Sequence, residues 1–154
     1  MQLSTCYLFQ GLSECQLKQL IAISTEIRVQ QGTWLYHENE PADQMFVLKD
    51  GAVELLSTID DAIELPITII RSPGSCFGTS ALIPPHLYSL SARCAKDATL
   101  QAIKQNDLRN LIQQNGELGF AILTNLAKHF LDRLKETRQE LKIHFKTLFK
   151  SMHH

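Results

Sequence analysis

No apolar run in the 154-residue chain reaches 18 residues, and the opening MQLSTCYLFQ has neither a charged start nor a long apolar centre. The sequence therefore shows neither a membrane span nor a secretory leader, and the expected location is the cytoplasm. Cysteine is sparse: Cys6, Cys15, Cys76 and Cys94 form no CxxC and no metal-ligand spacing. That pattern reads as free thiols in an intracellular protein rather than as a disulfide or zinc framework. Charge of one sign is missing too. Fifteen Lys and Arg against sixteen Asp and Glu leave a net charge of −1, which gives no general reason to expect nucleic acid or an anionic membrane as partner. There is no internal repeat and no low-complexity tract. Catalytic signatures are also absent: no HExxH, no Walker loop, no nucleophile elbow. A metal-dependent cupin would need clustered histidines, but His37, His86, His129 and His144 are scattered and show no HxH. Cys6 and Cys15 are too few to hold an iron–sulfur cluster. The sequence predicts a protein that is not an enzyme and holds no metal.

What is present is a regular alternation of short strands between two helical ends. At 44% hydrophobic and 20% charged residues, the composition suits one soluble domain. Ser13 is a candidate N-cap for a helix to Ile23, with Leu17, Leu20 and Ile21 on one face and Leu12 placed to staple onto Leu17. From Thr25 the period becomes two. Ile27 and Val29, then Trp34 and Tyr36, alternate with polar residues. Met45–Leu48 reads as a buried strand, and Asp50-Gly51 as a hairpin signal leading into Ala52–Ser57. The acidic Thr58–Glu64 stretch reads as a loop, and Pro66–Ile70 as a strand. Further strands are expected around Tyr88–Cys94 and Thr99–Ile103. Seven or eight short strands at roughly 8–12-residue spacing argue for a β-sandwich, roll or barrel. Asn106-Asp107 then caps a helix from Leu108 to Gln114 that Asn115-Gly116 ends.

Several short motifs follow one another along the chain: Leu8-Phe9-x-Gly11-Leu12-Ser13, Gly32-x-x-Leu35-Tyr36, Glu40-x-Ala42-Asp43, and Met45-Phe46-Val47-Leu48-x-x-Gly51-x-Val53. Gly74-Ser75-x-Phe77-Gly78 and Ala81-Leu82-Ile83 come after them. In this order they resemble the cyclic-nucleotide-binding domain of the catabolite activator and protein kinase A regulatory subunit superfamily, in which the last two pieces start a phosphate-binding cassette. The resemblance runs from about Leu8 to Glu140. The implied fold is mainly β with flanking helices: an eight-stranded β-roll, or jelly roll, with a short N-terminal helix and a long C-terminal one. The implied activity is regulatory sensing of a cyclic nucleotide or another small anionic ligand.

The resemblance assigns the cassette to Phe77, Gly78, Thr79, Ser80, Ala81, Leu82, Ser89, Leu90 and Ser91. In the family, backbone amides of a one-turn helix and an Arg on the next strand hold the cyclic phosphate, and a Glu after Phe-Gly accepts the ribose 2′-OH. Thr79 stands at the Glu position and Ser89 at the Arg position. A hydrogen bond with a charged partner contributes about 1.5–3 kcal/mol, so losing both clamps weakens binding by about 3–5 kcal/mol, a factor of hundreds to thousands. Arg93 and His86 are the candidate replacements. Three readings stay open: a relic pocket, a pocket for a differently held ligand, and weak binding of an ordinary cyclic nucleotide.

From Glu117 to about Lys150 a helical pattern runs without proline, on the order of 50 Å at 1.5 Å per residue. A domain of this size has a radius of gyration of about 15 Å, so the helix outruns its own domain. Leu123, Ala127, Phe130, Leu134, Thr137, Leu141, His144 and Leu148 fall at alternating steps of four and three, a seam suited to a parallel homodimer. The resemblance makes Thr137 a candidate contact to a nucleotide base; on spacing alone it is a tolerated polar seam residue. Lys142, Lys146 and Lys150 form a solvated stripe. The expected organisation is a β-roll over residues 1–116 and a dimerisation helix over 117–152, both within one domain. Activators of the family continue into a helix-turn-helix, for which the sequence has no candidate. The expected partners are a second copy and a further protein, with no direct nucleic-acid or membrane contact. The competing readings are a protein-interaction scaffold with a vestigial pocket and the sensor fragment of a longer transcription regulator.

Overall fold

The computed structural model describes residues 2–153. Helix α1 (Gln2–Thr5) and a 3-10 turn (Tyr7–Phe9) lead into α2 (Glu14–Ile23). Ser13 forms the expected N-cap as a full capping box: its Oγ accepts from the Gln16 amide at 3.1 Å, and the Gln16 side chain accepts from the Ser13 amide at 2.9 Å. Both donors would otherwise be orphaned at a helix start. Ser13→Ala is expected to cost about 1 kcal/mol in chemical denaturation, with no change in the slope of free energy against denaturant.

Strands β1 (Ser24–Val29), β2 (Trp34–Tyr36), β3 (Gln44–Ile59), β4 (Ile63–Ile70), β5 (Cys76–Phe77) and β6 (Ser91–Lys104) form one antiparallel sheet among the described residues. Its main path runs β1-β6-β3-β4, with β2 added to β6 and β5 to β3. This is the expected β-roll. The strand count differs from eight because β3 and β6 each pass through a region that reads as two strands.

Asp50-Gly51 is where that difference arises, and the hairpin expected there does not form. Pairing of β3 with β6 continues on both sides of it, from Leu48↔Leu100 to Ala52↔Lys96, with register shifts between. Gly51 has φ +98°, and a Cβ there would overlap the Asp97 carbonyl oxygen. The glycine bends the strand and admits its neighbour instead of reversing the chain. The reversal lies at Asp60 and Asp61, both left-handed at φ 52° and 58°, so most of the expected acidic loop is strand.

Met45–Leu48 is buried on both faces, which is why it reads as an unbroken apolar run. Phe46 and Leu48 enter the roll with Tyr36, Phe77, Tyr88 and Leu100; Met45 and Val47 face a second core with Leu8, Phe9, Leu20, Ile103, Leu108 and Ile122. Leu12 and Leu17, the expected staple, both pack against that second core.

Helices α3 (Gln105–Gln114) and α4 (Gly116–Met152) follow β6. The cap expected at Asn106-Asp107 lies instead inside the first turn of α3, because β6 runs straight into the helix and the Gln105 amide donates to the Asp43 carbonyl. Asn115-Gly116 stops α3 and starts α4: the Asn115 side chain accepts from the Leu118 amide at 3.2 Å, and Gly116 is helical. In α4 only Leu118, Gly119, Ile122 and Leu126 are buried, and every residue from Phe130 to His153 is exposed. About 33 Å of helix therefore extends without cover from the rest of the chain. No helix of the described residues is long and apolar enough to cross a membrane.

Candidate ligand cavity

Gly78 starts the site. At φ +74° it turns the chain off β5 into a 3-10 turn, Thr79–Leu82, and a Cβ there would press on the Gln44 carbonyl and the Tyr88 ring at 3.4 Å. The turn borders a cavity of about 380 Å³. Ser75–Ser80 and Ser89-Leu90 form one side of it. Leu55, Ile67, Thr68 and Ile70 of β3 and β4 form another. Tyr36 and Tyr88, stacked with ring centroids 3.6 Å apart, close the roll end. Tyr7 from the N-terminal segment and His129, Phe130 and Arg133 from α4 complete the lining.

Of the expected cassette residues, Phe77, Gly78, Thr79, Ser80, Ser89 and Leu90 thus meet at one cavity. The other three do not reach its lining. Ala81 is fully buried in the roll core, and its amide donates to the Gly78 carbonyl at 3.2 Å. Leu82 packs into the helix-side core. Ser91 is buried with its Oγ accepting from the Glu38 amide at 2.9 Å, a role that fixes the Glu38 loop.

Neither Arg93 nor His86, the two candidate replacements, reaches the cavity lining. Arg93 binds Glu54 at 3.1 Å and Glu64 at 3.0 Å and lies over the Trp34 ring at 4.7 Å. Two carboxylates already balance its charge and hold its pKa above the usual arginine value, the Glu64 hydrogen bond most strongly. His86 sits behind the turn with Nδ1 3.0 Å from both the Ala81 carbonyl and the Gln105 side-chain amide. One nitrogen serves one of these partners at a time, donating to the Ala81 carbonyl or accepting from the Gln105 amide, and His86 is not in the cavity lining.

The cation that does line the cavity is Arg133, which the cassette pattern does not nominate. Among the described residues its one ion pair is a long contact of 3.9 Å to Glu136, with both side chains largely exposed. The sequence signal for it was present: Arg133 lies one turn beyond His129 and Phe130, on the same helix face. His129 stacks on Tyr7 at 4.1 Å, and burial, with Arg133 nearby, lowers its pKa from the usual histidine value. Asn125 ties α4 to the N-terminal segment by donating to the Leu8 and Gln10 carbonyls at 2.9 and 3.0 Å.

On α4, the seam residues Leu123, Phe130, Leu134, Leu141 and Leu148 are about half exposed. Thr137 is exposed too; its hydroxyl donates to the Arg133 carbonyl at 2.9 Å and does not line the cavity.

Comparisons with known proteins bear on the family and the fold. The family model for the cyclic nucleotide-binding domain matches residues 26–115. The anaerobic regulatory protein of Bacillus subtilis strain 168 is 24% identical over 127 residues, 82% of this chain and 53% of that protein. The chain thus spans about half the length of that relative. The solved structure of a candidate cyclic nucleotide-binding protein from Geobacter metallireducens GS-15 is similar at 33% identity and a TM-score of 0.71, covering 82% of this chain and 91% of that one. The N-terminal domain of a transcriptional regulator from Streptomyces coelicolor A3(2) is similar at 26% identity and a TM-score of 0.74, covering 89% and 94%. With more than half its length matched by the family model, the chain belongs to the cyclic nucleotide-binding domain family.

Proposed function

We propose that this chain is a homodimeric regulatory module that senses a small anionic ligand, with the ligand held between the cassette turn and Arg133 of α4. The observation that carries the reading is the composition of the cavity wall. Thr79 and Ser89 replace the charged clamps of the resemblance, and the one lining guanidinium comes from the long helix. A ligand anion at the Thr79–Ser80 amides would draw Arg133 inward. Binding would then be felt along α4, where the apolar seam lies exposed. Residues 1–116 and 117–152 act as one domain in this reading, because Leu118, Ile122 and Leu126 share the helix-side core with Leu8, Phe9 and Ile103.

With one clamp relocated to an exposed helix face and the other absent, cyclic AMP and cyclic GMP should bind with dissociation constants of roughly 0.1–1 mM rather than micromolar. Calorimetric titration of the full chain with cyclic AMP, cyclic GMP and a cyclic dinucleotide tests this. A cyclic AMP dissociation constant near 1 µM or below overturns the altered clamp. Absence of heat with all three ligands at millimolar concentration overturns the sensing reading in favour of the scaffold.

Dimerisation has its own test. Leu134→Asp places a carboxylate at the centre of the seam, and sedimentation at micromolar concentration should change from dimer to monomer. A wild-type monomer in the same experiment removes the homodimer. A second arrangement, the sensor portion of a longer transcription regulator, is favoured by coverage: the chain covers 94% of the Streptomyces regulator's N-terminal domain but 53% of the full Bacillus protein.

A further inference from the structure

A second cavity, of about 290 Å³, borders the cassette turn and shares no lining residue with the ligand cavity. Its volume is at the small end of the range of about 300–1,000 Å³ for pockets that take small molecules. The turn contributes to both cavities through different residues: Thr79 and Ser80 line the first, Ala81 and Leu82 the second. One face of α3 forms a further wall. Gln105, Arg109 and Gln113 make a polar row along it, each one turn from the next, and Leu108 and Ile112 an apolar row beside them. Leu123 of α4 adds to the apolar part. The two helices meet closely here, since a Cβ at Gly119 would lie 2.5 Å from Ile112 Cγ2, so Gly119 is what lets Ile112 sit against α4.

The polar row decides the chemistry. Arg109 forms no ion pair among the described residues, and no carboxylate lines the cavity. The Gln105 side chain is engaged with His86 at 3.0 Å, which leaves Arg109 and Gln113 as the donors open to a ligand. A guanidinium beside an amide suits a planar anion with two oxygens, and apolar walls suit a hydrocarbon body. One arginine, with no lysine in the lining, balances a single negative charge. We propose that this cavity is a second small-molecule site, for a monocarboxylate with an apolar body. The carboxylate is held by Arg109 and Gln113, and the body lies against Leu82, Leu108, Ile112 and Leu123.

Such a ligand would touch the cassette turn directly, because Leu82 belongs both to the cavity wall and to the helix-side core. It would also touch α4, which lines both cavities, with Leu123 at one and Phe130 and Arg133 at the other. Occupancy of the second site would therefore be felt at the first through packed side chains.

The probe is decanoate, with decan-1-ol as the uncharged control, added to the full chain carrying methyl-labelled isoleucine and leucine. Decanoate should bind with a dissociation constant of roughly 0.1–1 mM. The largest saturable NMR shifts should fall on the methyls of Leu82, Leu108 and Ile112, with smaller ones at Leu55, Ile67 and Ile70 of the ligand cavity. Arg109→Ala should weaken decanoate about fivefold, and Arg109→Lys should retain most of the affinity. Decan-1-ol should bind wild type and Arg109→Ala alike. Arg109 is exposed, so neither substitution disturbs the core. Shifts centred on Leu55, Ile67 and Ile70, or on Leu134, Leu141 and Leu148 of the exposed seam, would overturn the proposal. So would unchanged decanoate affinity in Arg109→Ala, or no saturable shift at millimolar decanoate. No arm of the test uses a nucleotide, so failure here is distinct from failure of the sensing function.

Discussion

Gly51→Ala is expected to destabilise the protein by about 3–5 kcal/mol, lowering the midpoint of thermal unfolding by about 10 °C. Two effects add. At φ +98° an L side chain is strained wherever it sits, which costs about 1 kcal/mol. The larger part is steric: the new methyl would overlap the Asp97 carbonyl oxygen and lie 2.6 Å from Ala98 Cα, both backbone atoms of the adjoining strand. Relief requires β3 and β6 to separate at the centre of the sheet, where Leu48, Val53 and Leu100 are fully buried. Gly32→Ala is the control. Gly32 has a similar φ of +86°, and a methyl added there would meet nothing within 4 Å, so only the conformational cost of about 1 kcal/mol applies. Denaturant melts of the two variants that agree within about 1 kcal/mol would show that strand approach is not what the glycine serves.

Arg133→Glu should weaken binding of an anionic cyclic nucleotide by about a hundredfold, and Arg133→Ala by about tenfold. The alanine figure sits at the low end for a charge-assisted hydrogen bond because the Arg133 side chain is 58% exposed and screened by solvent. Reversing the charge adds repulsion of the phosphate in a cavity whose lining holds no other arginine or lysine among the described residues. Arg93→Ala supplies the contrast. Arg93 lies outside the lining and neutralises Glu54 and Glu64, so its loss should lower stability and leave affinity within a factor of about two. Calorimetry at low and moderate salt reads both variants, and the Arg133 effect should shrink as salt rises. The reverse order of effects, with Arg93 controlling affinity and Arg133 silent, would move the anion site off α4.

How much of this was legible in advance differs by element. The capping box at Ser13 and Gln16 is local chemistry within three residues, and it stands where the sequence places it. Two turn signals were real glycine signals assigned to the wrong geometry. Asp50-Gly51 marks a close approach between strands, and Asn115-Gly116 joins two helices without a left-handed residue. A dipeptide reports the need for conformational freedom or a capping side chain, but the partner that creates the need lies far away in the chain. The same holds for Asp60-Asp61, where a hairpin forms because β3 and β4 have apolar partners on either side of an acidic turn.

The sequence by itself determined the β-roll with its helical ends, the length of α4, and the uncharged Thr79 and Ser89 at the positions to which the resemblance assigns charged side chains. Each of these is written in residue types at short range or in a repeating period. Only the tertiary structure decided which charged side chains line the cavity. Arg93 was neutralised by Glu54 and Glu64 across the sheet, His86 was engaged at the Ala81 carbonyl and Gln105 outside the cavity lining, and Arg133 was brought in from α4. Charge balance, burial and proximity belong to pairs of residues distant in sequence, and they exist only once the sheet and the helices have packed.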